Sequence, residues 1–288
     1  MNLEFQFLRI PVRVHLWFLL SAVLLGTIYI ESASPAGSLA HARWLAVWVA
    51  IVFQGIFCHE VGHALVGRAF GLRPRIDLVA FGGQTGFHGT KPLTAGRALL
   101  VSAAGPGVSV GVGIAALAAF SSLGLPIEAL FRIELAREGL GTMVVKSLVH
   151  VNLFWGIFNL LPLLPLDGGQ ILVSLGDLAG KRRGRLVAIY LSLFLSVLAA
   201  LAGIALTLPF LAIIAALSGF TSYQFAKRER LGPASNDPLA EAQEALRAGH
   251  VDRVLELGTH LFDAAESDAE RDEALHLVAW ARVLGGQP

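Results

Sequence analysis

Between Trp44 and Leu72 a long apolar run is interrupted by His59-Glu60-Val61-Gly62-His63. Ionisable groups at hydrocarbon depth are costly to keep and mark functional sites by default. On a helix, positions i and i+4 stack on one face, so His59 and His63 can present two imidazoles to one metal ion. Glu60 lies about 100° round the helix from His59, within reach of a water on that metal without being a ligand. The bland alternative is a helix end with incidental polar residues, which leaves Glu60 uncompensated in hydrocarbon.

Composition places this stretch in a membrane. Only 15% of the 288 residues are charged and 55% are hydrophobic, with a mean hydropathy of +0.66. Soluble domains carry about 25% charged residues. Several apolar runs reach the ~20 residues that cross a bilayer as helix, so the expected class is an all-α polytopic membrane protein. The single cysteine, Cys58, excludes an internal disulfide framework and reads as a small core residue beside His59. Residues 1–236 carry 18 Lys/Arg against 10 Asp/Glu, and residues 237–288 carry 4 against 11. The basic part belongs to loops flanking spans and gives no argument for nucleic acid.

In chain order, residues 1–13 alternate Leu3, Phe5 and Phe7 with polar positions before Pro11, as an edge strand or interfacial segment does. About six spans follow. The first, Val14 to Ile30, lacks a small-residue cleavage site and is expected to be retained. The second covers roughly 44–70, after a short loop at 31–43. Apolar β-formers on either side of Gly82-Gly83 then predict a short re-entrant or interfacial hairpin at 76–88, beside the His-Glu span. His88 on this hairpin is a further possible ligand. The third span, about 97–120, contains Ser102-Ala103-Ala104-Gly105-Pro106-Gly107, small residues of the kind that let helices approach closely. The fourth, about 142–161, runs into Asn159-Leu160-Leu161-Pro162-Leu163-Leu164-Pro165-Leu166-Asp167-Gly168-Gly169. Its prolines disfavour helix at Leu161 and Leu164. Asp167-Gly168-Gly169 reads as a turn before a helix resuming at Ile171.

After the basic loop 181–185, the uncharged run Leu186 to Phe220 would be about 53 Å long as one helix. That is too long for one span, so it is split near Thr207-Leu208-Pro209. His15 and His41 read as interfacial, and His150 as a polar packing residue within span four. The expected domains are a membrane domain at 1–230 with its core at 44–178, a linker at 231–237, and an acidic helical tail at 238–288. The Ala/Leu spacing and Gly-His turn of that tail are weakly tetratricopeptide-like.

The HEVGH motif, the FGGQTG hairpin, the SAAGPG helix and the NLLPLLPLDGG segment stand in the order found in the site-2 protease family of intramembrane zinc metalloproteases. The chain resembles that family over roughly residues 44–178. The resemblance implies one catalytic Zn2+ held by His59, His63 and Asp167, with Glu60 as the catalytic base. It also implies a role for Asn159 in holding substrate or the oxyanion, against a plain helix–helix hydrogen bond. The implied activity is hydrolysis of peptide bonds in transmembrane substrate proteins. A metal transporter or sensor, or a catalytically inactive substrate-binding scaffold, are the competing readings. The lipid bilayer and a transmembrane protein substrate are the expected partners, and the tail would bind a cytoplasmic protein or itself. The expected setting is a bacterial cell membrane, with both termini cytoplasmic.

Overall fold

A computed structural model describes residues 2–30, 38–88, 93–124, 126–131, 139–231, 238–247, 249–265 and 268–284. Much of the loop expected at 31–43 and of the linker at 231–237 lies outside them. The chain divides into two compact units, Met1–Ser222 and Tyr223–Pro288.

The first unit begins with strands β1 (Asn2–Phe7) and β2 (Ile10–His15). They pair antiparallel through a two-residue loop whose Leu8 and Arg9 both take left-handed φ, the combination that closes a tight hairpin. Helices α1 (Leu16–Ile30) and α2 (Leu39–Ala69) carry the chain to β3 (Arg73–Val79) and β4 (Gly82–His88). The strands form one sheet ordered β1-β2-β3-β4, with β2 and β3 parallel. The expected isolated hairpin is therefore half of a four-stranded sheet. Pro11 is compatible with the inner strand β2 because the β3 pairing covers only Val12 to Val14.

Ile10, Val12 and Val14 alternate inward and join Ile76 and Leu78 in a core with Phe18, Trp48, Val52 and Ile56. The sheet thus lays one face against α1 and α2. Span one starts at Leu16 rather than Val14, because Val14 and His15 belong to β2. Span two starts at Leu39, where the Ser38 side chain accepts a hydrogen bond from the His41 amide at 3.1 Å and caps the helix.

α3 (Ala95–Ser122) follows, with Pro106 inside it. A helical stretch is then made of α4 (Leu140–Val149), a π-helical turn at His150–Phe154, and α5 (Trp155–Asn159). Lys146 is buried within α4.

The long helical stretch α6 (Asp167–Ala205) reverses direction at Gly180 and Lys181, whose backbones are non-helical. On a straight helix, residues eight apart stand about 12 Å apart. Here Arg185 instead makes two hydrogen bonds to the Asp177 carboxylate, at 2.8 and 2.6 Å. Any Cβ on Gly176 or Gly184 would run into the other's backbone. The basic residues 181–185 thus sit at this reversal, in the second arm's first turn rather than in an open loop. α7 (Pro209–Leu231) opens on the proline where the split was expected.

Among the described residues four helical stretches, against six spans expected, are long and apolar enough to cross a membrane: His41–Ala69, Ala95–Ser122, Leu140–Asn159 and Asp167–Ala205, with Leu16–Thr27 a shorter apolar helix.

In the second unit, α8 (Pro238–Arg247), α9 (Val251–Ala264) and α10 (Asp268–Leu284) share a core of Ala242, Ala245, Val254, Leu257, Leu277 and Ala281. Gly249 takes a left-handed φ in the turn between α8 and α9. Leu275, which fits the apolar periodicity of the tail, is exposed instead.

Candidate active site

α2 presents His59 and His63 on one face, and α6 brings Asp167 against them. His59 Nε2 lies 2.9 Å from Asp167 Oδ2, His63 Nε2 lies 3.3 Å from Asp167 Oδ1, and the two Nε2 atoms are 3.1 Å apart. The three side chains form a group able to hold a metal ion, their donor atoms all within 4.8 Å of one another. Both histidines are buried. The far nitrogens are engaged by α3: His59 Nδ1 pairs with Ser109 Oγ at 3.0 Å and His63 Nδ1 with the Val101 carbonyl at 2.7 Å. A carbonyl only accepts, so His63 Nδ1 carries a proton, and in the neutral ring that binds a metal the Nε2 lone pair faces Asp167 and His59. Converging lone pairs from two imidazoles and a carboxylate suit a divalent cation. Three protein ligands with an open fourth position are the donor set of catalytic zinc.

The geometry of Asp167 departs from the expected turn. α6 begins at Asp167 itself, and Leu166 occupies the cap position without a side-chain bond. The carboxylate is committed to the histidines rather than to capping. Gly168 and Gly169 lie in the first helical turn, where a Cβ on either would collide with the backbone of residues 160–164. They let the proline loop fold back tightly onto α6.

Glu60 stands beside this cluster, buried, and outside the ligand group. Its Oε2 accepts a hydrogen bond from Thr85 Oγ1 at 2.6 Å. Thr85 is on β4, and Gly83 lies two residues before it on the same strand face. A Cβ on Gly83 would stand 2.5 Å from Glu60 Cγ and 2.6 Å from its Oε1. The chain therefore turns at Ala80 and Phe81, with Gly82 and Gly83 inside β4. Glycine is needed at 83 for close approach, not for turning.

These groups line a cavity of about 810 Å³ that Asn159 also enters. One Asn159 N–H donates to the Trp155 carbonyl at 3.0 Å, within its own helix. Each carboxamide has two N–H donors, so one remains for a ligand.

His15, His41 and His150 stand apart from the site. His15 closes β2, 3.7 Å from the Asp77 carboxylate. His41 lies at the start of α2. His150 lines a separate apolar cavity of about 500 Å³. The side chain of His88 lies outside the described residues. Ser109 and Gly105 were not singled out individually by sequence, and Thr85 only as a backbone donor of the hairpin, not as the partner of Glu60. Gly105 faces His63 so closely that any Cβ there would meet the imidazole.

The model of peptidase family M50 matches residues 114–202, which include Asn159 and Asp167. The zinc metalloprotease MJ0392 of Methanocaldococcus jannaschii is 27% identical over 169 residues, covering 58% of this chain and 43% of that protein. "Putative zinc metalloprotease Rip3" of Mycobacterium tuberculosis is 31% identical over 196 residues, 62% of this chain and 47% of that one. "Putative zinc metalloprotease sll0528" of Synechocystis is 32% identical over 126 residues, 43% and 30%. The chain thus spans less than half the length of these curated relatives. The site-2 protease from M. jannaschii superposes with a TM-score of 0.51 at 24% identity, over 78% of this chain and 95% of that one. The chain is similar in sequence to these zinc metalloproteases and in fold to that site-2 protease. Within that fold, the α2 and α6 positions expected to hold zinc are the ones the structure brings together.

Proposed function

We propose that this chain is an intramembrane zinc metalloendopeptidase acting on transmembrane proteins. The observation that carries the proposal is Glu60: a buried carboxylate held by Thr85 beside the ligand group yet outside it. A transporter or sensor site has no use for such a group, and the relatives found are metalloproteases. Conversely, a scaffold without activity needs none of the four.

His59, His63 and Asp167 would hold the zinc, which supplies Lewis acidity toward water and the substrate carbonyl. Glu60 accepts a proton from the attacking water as its oxygen bonds to the carbonyl carbon. It returns that proton to the amide nitrogen as the C–N bond breaks, so one water is consumed per bond. The free N–H of Asn159 is a donor for the developing oxyanion.

A transmembrane helix must unwind before its amides can be attacked, and β4 is an edge strand along the cavity. In a hairpin with a two-residue loop the closing pair Val79–Gly82 is hydrogen-bonded, and pairs alternate from there. The backbone groups of Gly83 and Thr85 thus face away from β3 and can take an extended substrate by strand addition.

Six spans with both termini cytoplasmic fit the lysines and arginines before α1, following α2, at 181–185 and in the last turns of α7. The acidic tail would then be a cytoplasmic appendage for a protein partner or self-association.

The test is incubation of the purified protein with a panel of tagged single-span proteins, with and without a chelator. Cleavage that stops with the chelator and returns with zinc is expected. Chelator-insensitive cleavage, or zinc-loaded protein inert toward the whole panel, would contradict the proposal.

A further inference from the structure

The loop from Leu160 to Leu166 delivers Asp167 to the metal group, and it is irregular backbone between two apolar helices. Such backbone must have its N–H and C=O groups satisfied by protein where water is excluded. Pro162 and Pro165 have no N–H to satisfy. Local turns use the amides of Leu163 and Leu166, which donate to the carbonyls of Leu161 and Leu163. Leu164 is different: it is fully buried, three residues before Asp167, and both its backbone groups go to side chains of other helices.

The Leu164 N–H donates to Ser192 Oγ on the second arm of α6 at 2.8 Å. Ser218 Oγ on α7 donates to the Leu164 carbonyl. Ser222 Oγ, one turn further along α7, lies 2.9 Å from Ser192 Oγ and shares its proton. All three serines are buried to within 1% of completely. A serine in an apolar helix ordinarily satisfies itself on the carbonyl one turn back. Ser196, equally buried, does so, donating to the Ser192 carbonyl at 2.8 Å. Ser192 and Ser218 turn away from their own helices and hold one loop residue, Leu164, by its N–H and its C=O.

We infer that Ser192, Ser218 and Ser222 are positioning residues for the metal: they clamp Leu164 so that Asp167 meets His59 and His63. The inference rests on the ligand assignment proposed above. Serine suits the task, because a neutral hydroxyl can both accept from an N–H and donate to a C=O. It also carries no charge into the bilayer. Gly168 and Gly169 let the loop lie close against the start of α6, and the clamp holds its far side at Leu164.

The test is metal affinity, measured by competition with a chromophoric chelator on the full chain in detergent, with the cobalt absorption spectrum as a second readout. Paired Ser192→Ala and Ser218→Ala should weaken affinity about 10- to 100-fold, the effect typical of removing groups that orient a ligand. The ligand-field bands should shift as well. Ser196→Ala, which loses an equally buried hydroxyl without touching the loop, should stay within twofold of the unmodified protein. Because the paired variant loses stability as well, the cycle is repeated on Asp167→Asn, whose affinity is already reduced. There the serine substitutions should change affinity less than threefold, since the clamp acts through Asp167. Equal losses in both backgrounds, or no loss in either, would overturn the inference. Absence of metal binding by the unmodified chain would instead overturn the ligand assignment.

Discussion

Position 105 is glycine because the imidazole of His63 occupies the space a Cβ would need. Its neighbour Gly107 faces open space. Gly105→Ala should therefore displace His63 and lose zinc and cleavage together, while Gly107→Ala keeps both. Metal analysis of the two purified variants checks this; full zinc in Gly105→Ala would refute the contact. Both glycines sit in one small-residue stretch, legible in sequence as helix packing. Which of them meets a ligand depends on the relative rotation of α2 and α3, and no single sequence carries that. The HEVGH histidines and Glu60 were legible because one helix fixes their spacing. Asp167 was legible only through the resemblance, since its partners lie 104 and 108 residues away.

β4 is the element in which backbone and side-chain roles coincide. Thr85 holds Glu60 through its hydroxyl and turns its own N–H to the free edge. Thr85→Val removes the hydroxyl alone, so cleavage should fall about tenfold, as for loss of one hydrogen bond to a charged group. Thr85→Pro removes the N–H as well. It should fall at least tenfold further, with zinc retained in both. Equal rates for the valine and proline variants would show that substrate does not use this edge. The hairpin was visible in the sequence, but its turn was displaced by two residues because paired glycines read as a turn. The β1–β2 hairpin was missed for the complementary reason: Leu8-Arg9 turns without glycine or asparagine. The reversal within α6 was visible only as a basic cluster, since the glycines that permit it, Gly176 and Gly184, meet only in the fold.

At the scale of the whole molecule the apolar runs at 44–70, 97–120 and 142–161 were legible to within a few residues, because crossing a bilayer sets length and composition together. The run from Leu186, by contrast, is part of a helical stretch that begins at Asp167. The orientation proposed from loop charges places the segment after Ser38 outside and that after Asn236 in the cytoplasm. Reporter fusions at the two points should give opposite signals, and matching signals would refute the topology. The central claim is a division of labour in which three side chains hold zinc and a fourth moves the proton. It is tested most directly by zinc content and cleavage rate measured together on Glu60→Gln, with Asp167→Asn beside it. The glutamine keeps the shape of Glu60 but cannot act as a base. Zinc should stay near one per chain while cleavage falls by about 10²–10⁴-fold, whereas Asp167→Asn should bind zinc more weakly. A Glu60→Gln protein that loses its zinc, or keeps zinc and full activity, would contradict the account.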